Sequence, residues 1–288
     1  MKQIYYFLFL TLLSLTGHSQ QTYYNDVNLT LTGTALRDEL ATKVINTHTN
    51  FLSYSNVWEA CKATDLDPDD GTNTNVILIY GYNDSDGNYI TDRTRNKNLN
   101  GGTAGTEWNR EHSYPKSLGT PNLNTSGPGS DAHHLRPSDI TFNGQRGSLL
   151  FDDGTGNAGT SGSGWYPGDE WKGDIARMMM YMYLRYGTQC LPDNVIYGTT
   201  NSIDSNMIDL LLDWNAADPV SLIEQNRNTY HENTSNSYAQ GNRNPFIDEP
   251  YLATLIWGGT AAEDPWNLSG PPDTTAPSDP TSLATSNP

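Results

Sequence analysis

The chain has 288 residues, 16 Lys and Arg against 33 Asp and Glu, a net charge of −17 and 35% hydrophobic residues. That length can bury a core without disulfide or metal staples, and 7 Trp, 17 Tyr and 6 Phe exclude a disordered chain. No apolar run reaches the roughly 18 residues of a membrane span, and so acidic a protein should repel polyanions unless it offers a local basic surface or a bound cation.

At the start of the chain, Lys2 precedes a 13-residue apolar stretch from Ile4 to Thr16, followed by the small residues of Gly17-His18-Ser19. This pattern predicts an export signal over residues 1–19, cleaved near residue 19 or 20 into a secreted, extracellular or periplasmic protein. Residues 31 to 61 read as helical, with Leu36, Leu40, Val44 and Ile45 near a 3.6-residue period and Phe51, Leu52, Val57 and Trp58 following. Cys61 and Cys190 could pair outside the cytosol or each serve as a small buried apolar residue, and their spacing does not choose.

Asp65 to Asn75 reads as a polar loop. Its Asp65-x-Asp67-x-Asp69 resembles the opening of a calcium loop, but Asp70 and Val76 stand where Gly and Glu are needed. The apolar run Val76–Tyr80 predicts a buried strand; Asn83-Asp84-Ser85-Asp86-Gly87 turns the chain, and Tyr89-Ile90 is expected to return as a second strand. Residues 91–105 and 152–164 read as loops, the second a mobile surface loop. Helix resumes at Gly173-Asp174 with Asp174 as cap, and Ile175, Met178, Met179, Met182, Tyr183 and Tyr186 form an apolar stripe. Methionines at that spacing predict a buried face rather than a soft-metal site. Further helices are predicted over 205–215 and 219–230, the latter starting at Asp218-Pro219. From Ser269 to Pro288 apolar periodicity ends, which predicts a solvated linker or the start of an appended module.

The chemistry concentrates in one stretch. Three of the five histidines left after export are His112, His133 and His134. Residues 92–146 carry seven cations and five anions, +2 locally, while the rest of the exported chain sums to −20. A cationic island holding Glu111-His112 and Asn143 suits phosphodiester cleavage. Oxygen ligands such as Glu111 and Asn143 fit a hard ion such as Mg²⁺, with Mn²⁺ or Ca²⁺ as substitutes. The His112 imidazole can take the proton of an attacking water, and an arginine can hold the phosphate through two parallel hydrogen bonds. Neighbouring residues of a regular strand face opposite ways, so Glu111 and His112 can serve one site only at a strand end or bend.

The run from Glu111 through Arg146 resembles the endonuclease I family of secreted and periplasmic bacterial nucleases, of the His-Me finger (ββα-metal) group. The likeness rests on Glu111-His112 with Pro115, on Asp131-x-His133-His134-Leu135-x-Pro137 and on Asn143-Gly144-x-Arg146. Downstream, Gly173-Asp174-x-Ala176-Arg177 and Gln240-Gly241-Asn242-Arg243-Asn244-Pro245-Phe246-Ile247-Asp248 extend it, so that it covers roughly residues 30 to 260. It implies an α+β catalytic domain over residues 20–268, mainly helical around a ββα-metal motif with a small sheet. It also implies Glu111 and Asn143 as ligands of one Mg²⁺ and His112 as general base. DNA and RNA would be cut with little sequence preference, leaving 5′-phosphate and 3′-hydroxyl ends. Separately, the protein is expected to be a monomer.

Some relatives have a phosphate-binding arginine where residues 117–135 here contain no Arg or Lys, so Arg136 or Arg146 is expected to serve. His133 and His134 are read as structural or as supports of the metal site. Asp174 with Arg177 reads as capping and a local ion pair, and Asn242-Arg243-Asn244 as a pin for the loop before Pro245. Two other functions are compatible with parts of the pattern. One is a metal-dependent phosphoesterase acting on small esters; the other is a noncatalytic secreted binding module, which leaves Glu111-His112 with Asn143 unexplained.

Overall fold

The computed structural model describes residues 22–102 and 104–270; the expected export signal, and the expected linker beyond Gly270, lie outside the described residues. The stretch from 31 to 61 forms two helices, α1 (Gly33–Thr47) and α2 (Asn56–Thr64), rather than one. The break between them has a distant cause: the N–H groups of Thr49 and Asn50 both donate to the Gln240 carbonyl, at 3.0 and 3.1 Å. Leu36, Leu40 and Val44 are buried as expected, whereas Ile45 and Phe51 face solvent.

β1 (Asn75–Ile77) pairs antiparallel with β2 (Thr94–Asn96), Ile77 opposite Thr94. The partner therefore begins five residues beyond the expected Tyr89-Ile90, which instead enters a 3₁₀ turn capped by the Asn88 side chain. Leu78 to Tyr80 stay buried but leave the regular ladder, Ile79 N–H donating to the Pro137 carbonyl at 2.8 Å.

β3 (Trp108–His112) and β4 (Leu135–Asp139) form a second antiparallel pair, from Trp108 opposite Asp139 to His112 opposite Leu135. α3 (Ile140–Arg146) follows at once because the Asp139 carboxylate accepts the Thr141 and Phe142 N–H groups at the helix start. Residues 152–164, expected as loop, contain β5 (Gly159–Ser161), which pairs with β6 (Gly164–Tyr166).

α4 (Lys172–Tyr186) is buried on all sides from Gly173 to Leu184, the four methionines included, so the apolar stripe understated it. α5 (Asp209–Ala217) and α6 (Leu222–Glu232) follow. α6 begins at a capping box, not at Asp218-Pro219: Ser221 Oγ accepts the Glu224 N–H and the Glu224 carboxylate accepts the Ser221 N–H at 2.8 Å. The short α7 (Pro245–Asp248) and α8 (Tyr251–Trp257) complete the order.

The large core gathers residues of α1, α4, α5 and α8, including Leu36, Met179, Leu211 and Trp257. A smaller cluster of Leu52, Val57, Ala60, Cys61, Trp108 and Leu135 seats β3 and β4 on α2. Cys61 and Cys190 are both buried and unpaired, which decides for the apolar reading and against a disulfide. The molecule is α+β, helices around two-stranded sheets, and no described helix is long and apolar enough to cross a membrane.

Candidate active site

Alternation along β3 divides its side chains between two faces. Asn109 and Glu111 meet α3. Asn143 Nδ2 donates to Asn109 Oδ1 at 2.7 Å, which leaves the Asn143 amide oxygen as an acceptor on the same side as Glu111. The Tyr80 hydroxyl donates to Glu111 Oε1 at 3.0 Å, and Arg146 Nη1 lies 3.4 Å from the same oxygen. Burial raises the Glu111 carboxyl above its ordinary pKa, with Arg146 and the Tyr80 hydroxyl opposing the shift. Tyr80 occupies the left-handed backbone region at φ 74°, a strained conformation for an aromatic residue. Nothing in the run Val76–Tyr80 marks it as more than a strand residue.

Arg110 and His112 take the other face. His112 is the last residue of β3, and its Nε2 donates to the Gly129 carbonyl at 2.9 Å. That partner assigns the tautomer: Nδ1 keeps the lone pair and has no hydrogen-bond partner among the described residues. The ring sits 5.3 Å from Tyr54 and 5.6 Å from His134. Burial, then the neighbouring His134, push its pKa down to about 3, so the imidazole is neutral. His134 stands behind it, donating from Nε2 to the Pro128 carbonyl at 2.8 Å. Successive carbonyls of one turn, Gly127–Ser130, thus orient both rings. His133 turns elsewhere, toward the Asn242 carbonyl at 3.2 Å and the ring of His231.

The expectation that Arg136 or Arg146 clamps phosphate does not fit this geometry. Arg136 is 1% exposed and donates to Asp65 at 2.6 Å and to Asp174 at 2.8 Å. It belongs to a buried ion network in which Asp65 also binds Arg227 and Arg177 binds Glu224. Asp174 is therefore an ion partner inside the fold rather than a helix cap, and its local pair with Arg177 is long, 3.8 Å. Arg146 is fully buried; it donates to the carbonyls of His112 and Ser113 at 3.2 and 2.9 Å and so fixes the end of β3. Asn242, Arg243 and Asn244 are also structural: Arg243 pairs with Asp248 and Glu232, and Asn244 caps α7.

Glu111, His112 and Asn143 open on one cleft of about 540 Å³, together with Asn109, Arg110 and Lys116. Arg110 is half-buried, its guanidinium 3.5 Å from the Tyr54 ring and 4.0 Å from the Trp58 ring. The cations that face the cleft are thus Arg110 and Lys116, both inside the basic stretch of sequence but outside the motifs. Among the described residues no cluster of three or more His, Cys, Asp or Glu is placed to hold a metal. A hard ion would have one carboxylate and one amide oxygen here, and water for the rest.

The sequence profile of the endonuclease I family matches residues 32–251. The chain is similar to an extracellular ribonuclease of Bacillus amyloliquefaciens, 42% identical over 248 residues, which are 82% of this chain and 78% of that one. An extracellular ribonuclease of Bacillus subtilis (strain 168) is likewise 42% identical, over 247 residues with the same coverage.

Proposed function

Because the chain belongs to the endonuclease I family and is a nuclease, we propose that it is an exported, non-specific endonuclease of the His-Me finger group. It hydrolyses phosphodiester bonds of DNA and RNA and leaves 5′-phosphate and 3′-hydroxyl ends. The observation that carries this reading is the convergence of Glu111, Asn143 and a neutral His112 on one cleft. The succession β3, β4, α3, with the base ending the first strand and Asn143 on the helix, supports the group assignment.

Glu111 and the Asn143 amide oxygen would hold one Mg²⁺, for which Mn²⁺ or Ca²⁺ can substitute. When bound, that ion neutralises the scissile phosphate and the leaving oxygen. The protein's own groups do the rest. His112 Nδ1 takes the proton of the attacking water, a contribution of about 10²–10⁴-fold, while the Gly129 carbonyl keeps the ring in the required tautomer. Tyr80 and Arg146 hold the carboxylate oxygen of Glu111 in place. Arg110 and Lys116 supply the positive charge for phosphate that the buried Arg136 and Arg146 cannot. Attraction through phosphate rather than base edges makes cleavage tolerant of sequence and sensitive to salt.

The pattern of residues 1–19 and the extracellular relatives support export, and RNA as a substrate agrees with the names of those relatives. The enzyme is taken to act as a monomer. Digestion of plasmid DNA and of RNA by the purified protein, with mapping of the product ends, tests the reading. Both polymers should be degraded to 5′-phosphate ends, EDTA should stop the reaction and Mg²⁺ should restore it. Undiminished cleavage in EDTA would remove the ion from the account. Turnover of a small phosphate ester without cleavage of either polymer would favour the esterase alternative.

A further inference from the structure

Positive charge is scarce in this protein and mostly neutralised internally. Among the described residues every Lys and Arg has a carboxylate oxygen within 4.0 Å except Lys97, Arg110, Lys116 and Arg185. Arg185 lies apart, stacked on Tyr186 and donating to His48. The other three lie along one band of surface.

The band starts in the cleft, where Lys116 and Arg110 flank the Tyr54 ring at 5.7 and 3.5 Å. Arg110 also covers Trp58 on α2. One helical turn further, Lys62 stands on the same face of α2 as Trp58, because residues four apart are neighbours on a helix. Lys62 opens on a second groove of about 490 Å³, lined also by Lys97, Asn98, Tyr230 and Tyr238. Glu59 pairs with Lys62 at 2.9 Å and sets the only acidic group in that lining, while Lys97 is unneutralised. Tyr54, Trp58 and Tyr238 all pack against the same small core, so the aromatic residues beside the cleft and in the groove share one support.

Aromatic faces alternating with cations are the means by which proteins hold unpaired strands without reading their sequence. We propose that the band from Lys116 through Arg110 and Trp58 to Lys97 and Tyr238 is a track for single-stranded nucleic acid that extends the cleft by several nucleotides. The inference rests on the nuclease reading above and adds a substrate preference to it. Phosphates follow Lys116, Arg110 and Lys97, and bases stack on Tyr238 and Tyr230. Stacking needs unpaired bases, so the track favours single strands and loops over duplex.

The test is fluorescence anisotropy of a labelled strand of about 12 nucleotides, inside the roughly 4–16 nucleotides that such surfaces cover, with the His112→Ala protein in EDTA as parent. Adding Tyr238→Ala should raise Kd about fivefold or more, and Tyr238→Phe should restore it. Adding Lys97→Gln should lower the slope of log affinity against log salt by about 0.7. In both groove variants the advantage of the long strand over a trinucleotide should shrink. A parent that does not bind the long strand, or groove variants with the parent's affinity and salt slope, would overturn the track. Failure of the nuclease reading is separate: the unsubstituted protein with Mg²⁺ would then leave the same strand intact.

Discussion

A Cβ on Gly129 would lie 2.2 Å from the Asn124 carbonyl oxygen, a backbone atom that cannot swing aside. The carbonyl of Gly129 is also the atom that orients His112. Gly129→Ala must therefore shift the turn and rotate the His112 ring, which we propose as the base, and displacements near 1 Å in an active site lower rates about 10²-fold. Steady-state kinetics should show kcat reduced by about 10-fold or more; a wild-type kcat would detach Gly129 from the site. His231 is fully buried, and among the described residues neither of its ring nitrogens has a hydrogen-bond partner; burial, then His133 and Arg227, hold its pKa well below the ordinary value. Below about pH 6.5 the unfolded chain binds a proton at this position and the folded chain does not, so this contribution to stability is present above that pH and is lost as the pH falls. Relative to His231→Leu, wild-type stability should decline by up to about 1.4 kcal/mol per pH unit as the pH falls below about 6 in urea titrations. A difference independent of pH would contradict the sign. At this scale the residue types and order of Glu111, His112 and Asn143 pointed to three side chains that the fold does bring to one cleft. The contacts of Tyr80 and Gly129 with Glu111 and His112, and the places of Arg110 and Lys116 on the cleft, were not legible, since they exist only once distant segments meet.

Helices α2, α4 and α6 and strand β4 are pinned together by buried charge. Arg136 joins Asp65 to Asp174, Arg227 also reaches Asp65, and Arg177 joins Glu224. Removing one partner leaves a buried charge uncompensated, which typically destabilises by about 3–5 kcal/mol. Arg136→Met should lower the urea midpoint accordingly, whereas a surface phosphate clamp would change KM and leave the midpoint alone. Ser221→Ala breaks the capping box of α6 and should destabilise by about 1 kcal/mol in the same titration. The elements read from periodicity were those whose signal is local: the Leu36, Leu40, Val44 face of α1, the methionine-rich α4 and the helix expected over 205–215, which runs from Asp209 to Ala217. Misplaced boundaries had nonlocal or competing causes. The Gln240 carbonyl splits the first helical stretch, Asn88 converts Tyr89-Ile90 into a 3₁₀ turn, and the Ser221–Glu224 exchange overrides the proline start signal.

The whole molecule keeps a net charge of −17 and, among the described residues, places Arg110 and Lys116 on one cleft and Lys97 on a second groove, three of its four cations that have no carboxylate within 4.0 Å. A strongly acidic body with a small basic mouth suits an enzyme that must draw in a polyanion and then release it. The family likeness was readable from motif order alone, and the cysteines show what motifs do not carry. Cys61 lies in the small core and Cys190 in the large one, so neither can staple the fold. Reductant should therefore leave Tm unchanged, and two thiols should titrate after denaturation without prior reduction; a thiol count of zero would mean that the pair is oxidised. The most direct measurement is the single-turnover cleavage rate of folded His112→Ala on saturating nucleic acid with Mg²⁺. The account predicts a loss of about 10²–10⁴-fold relative to the unsubstituted enzyme, and an unchanged rate would contradict it.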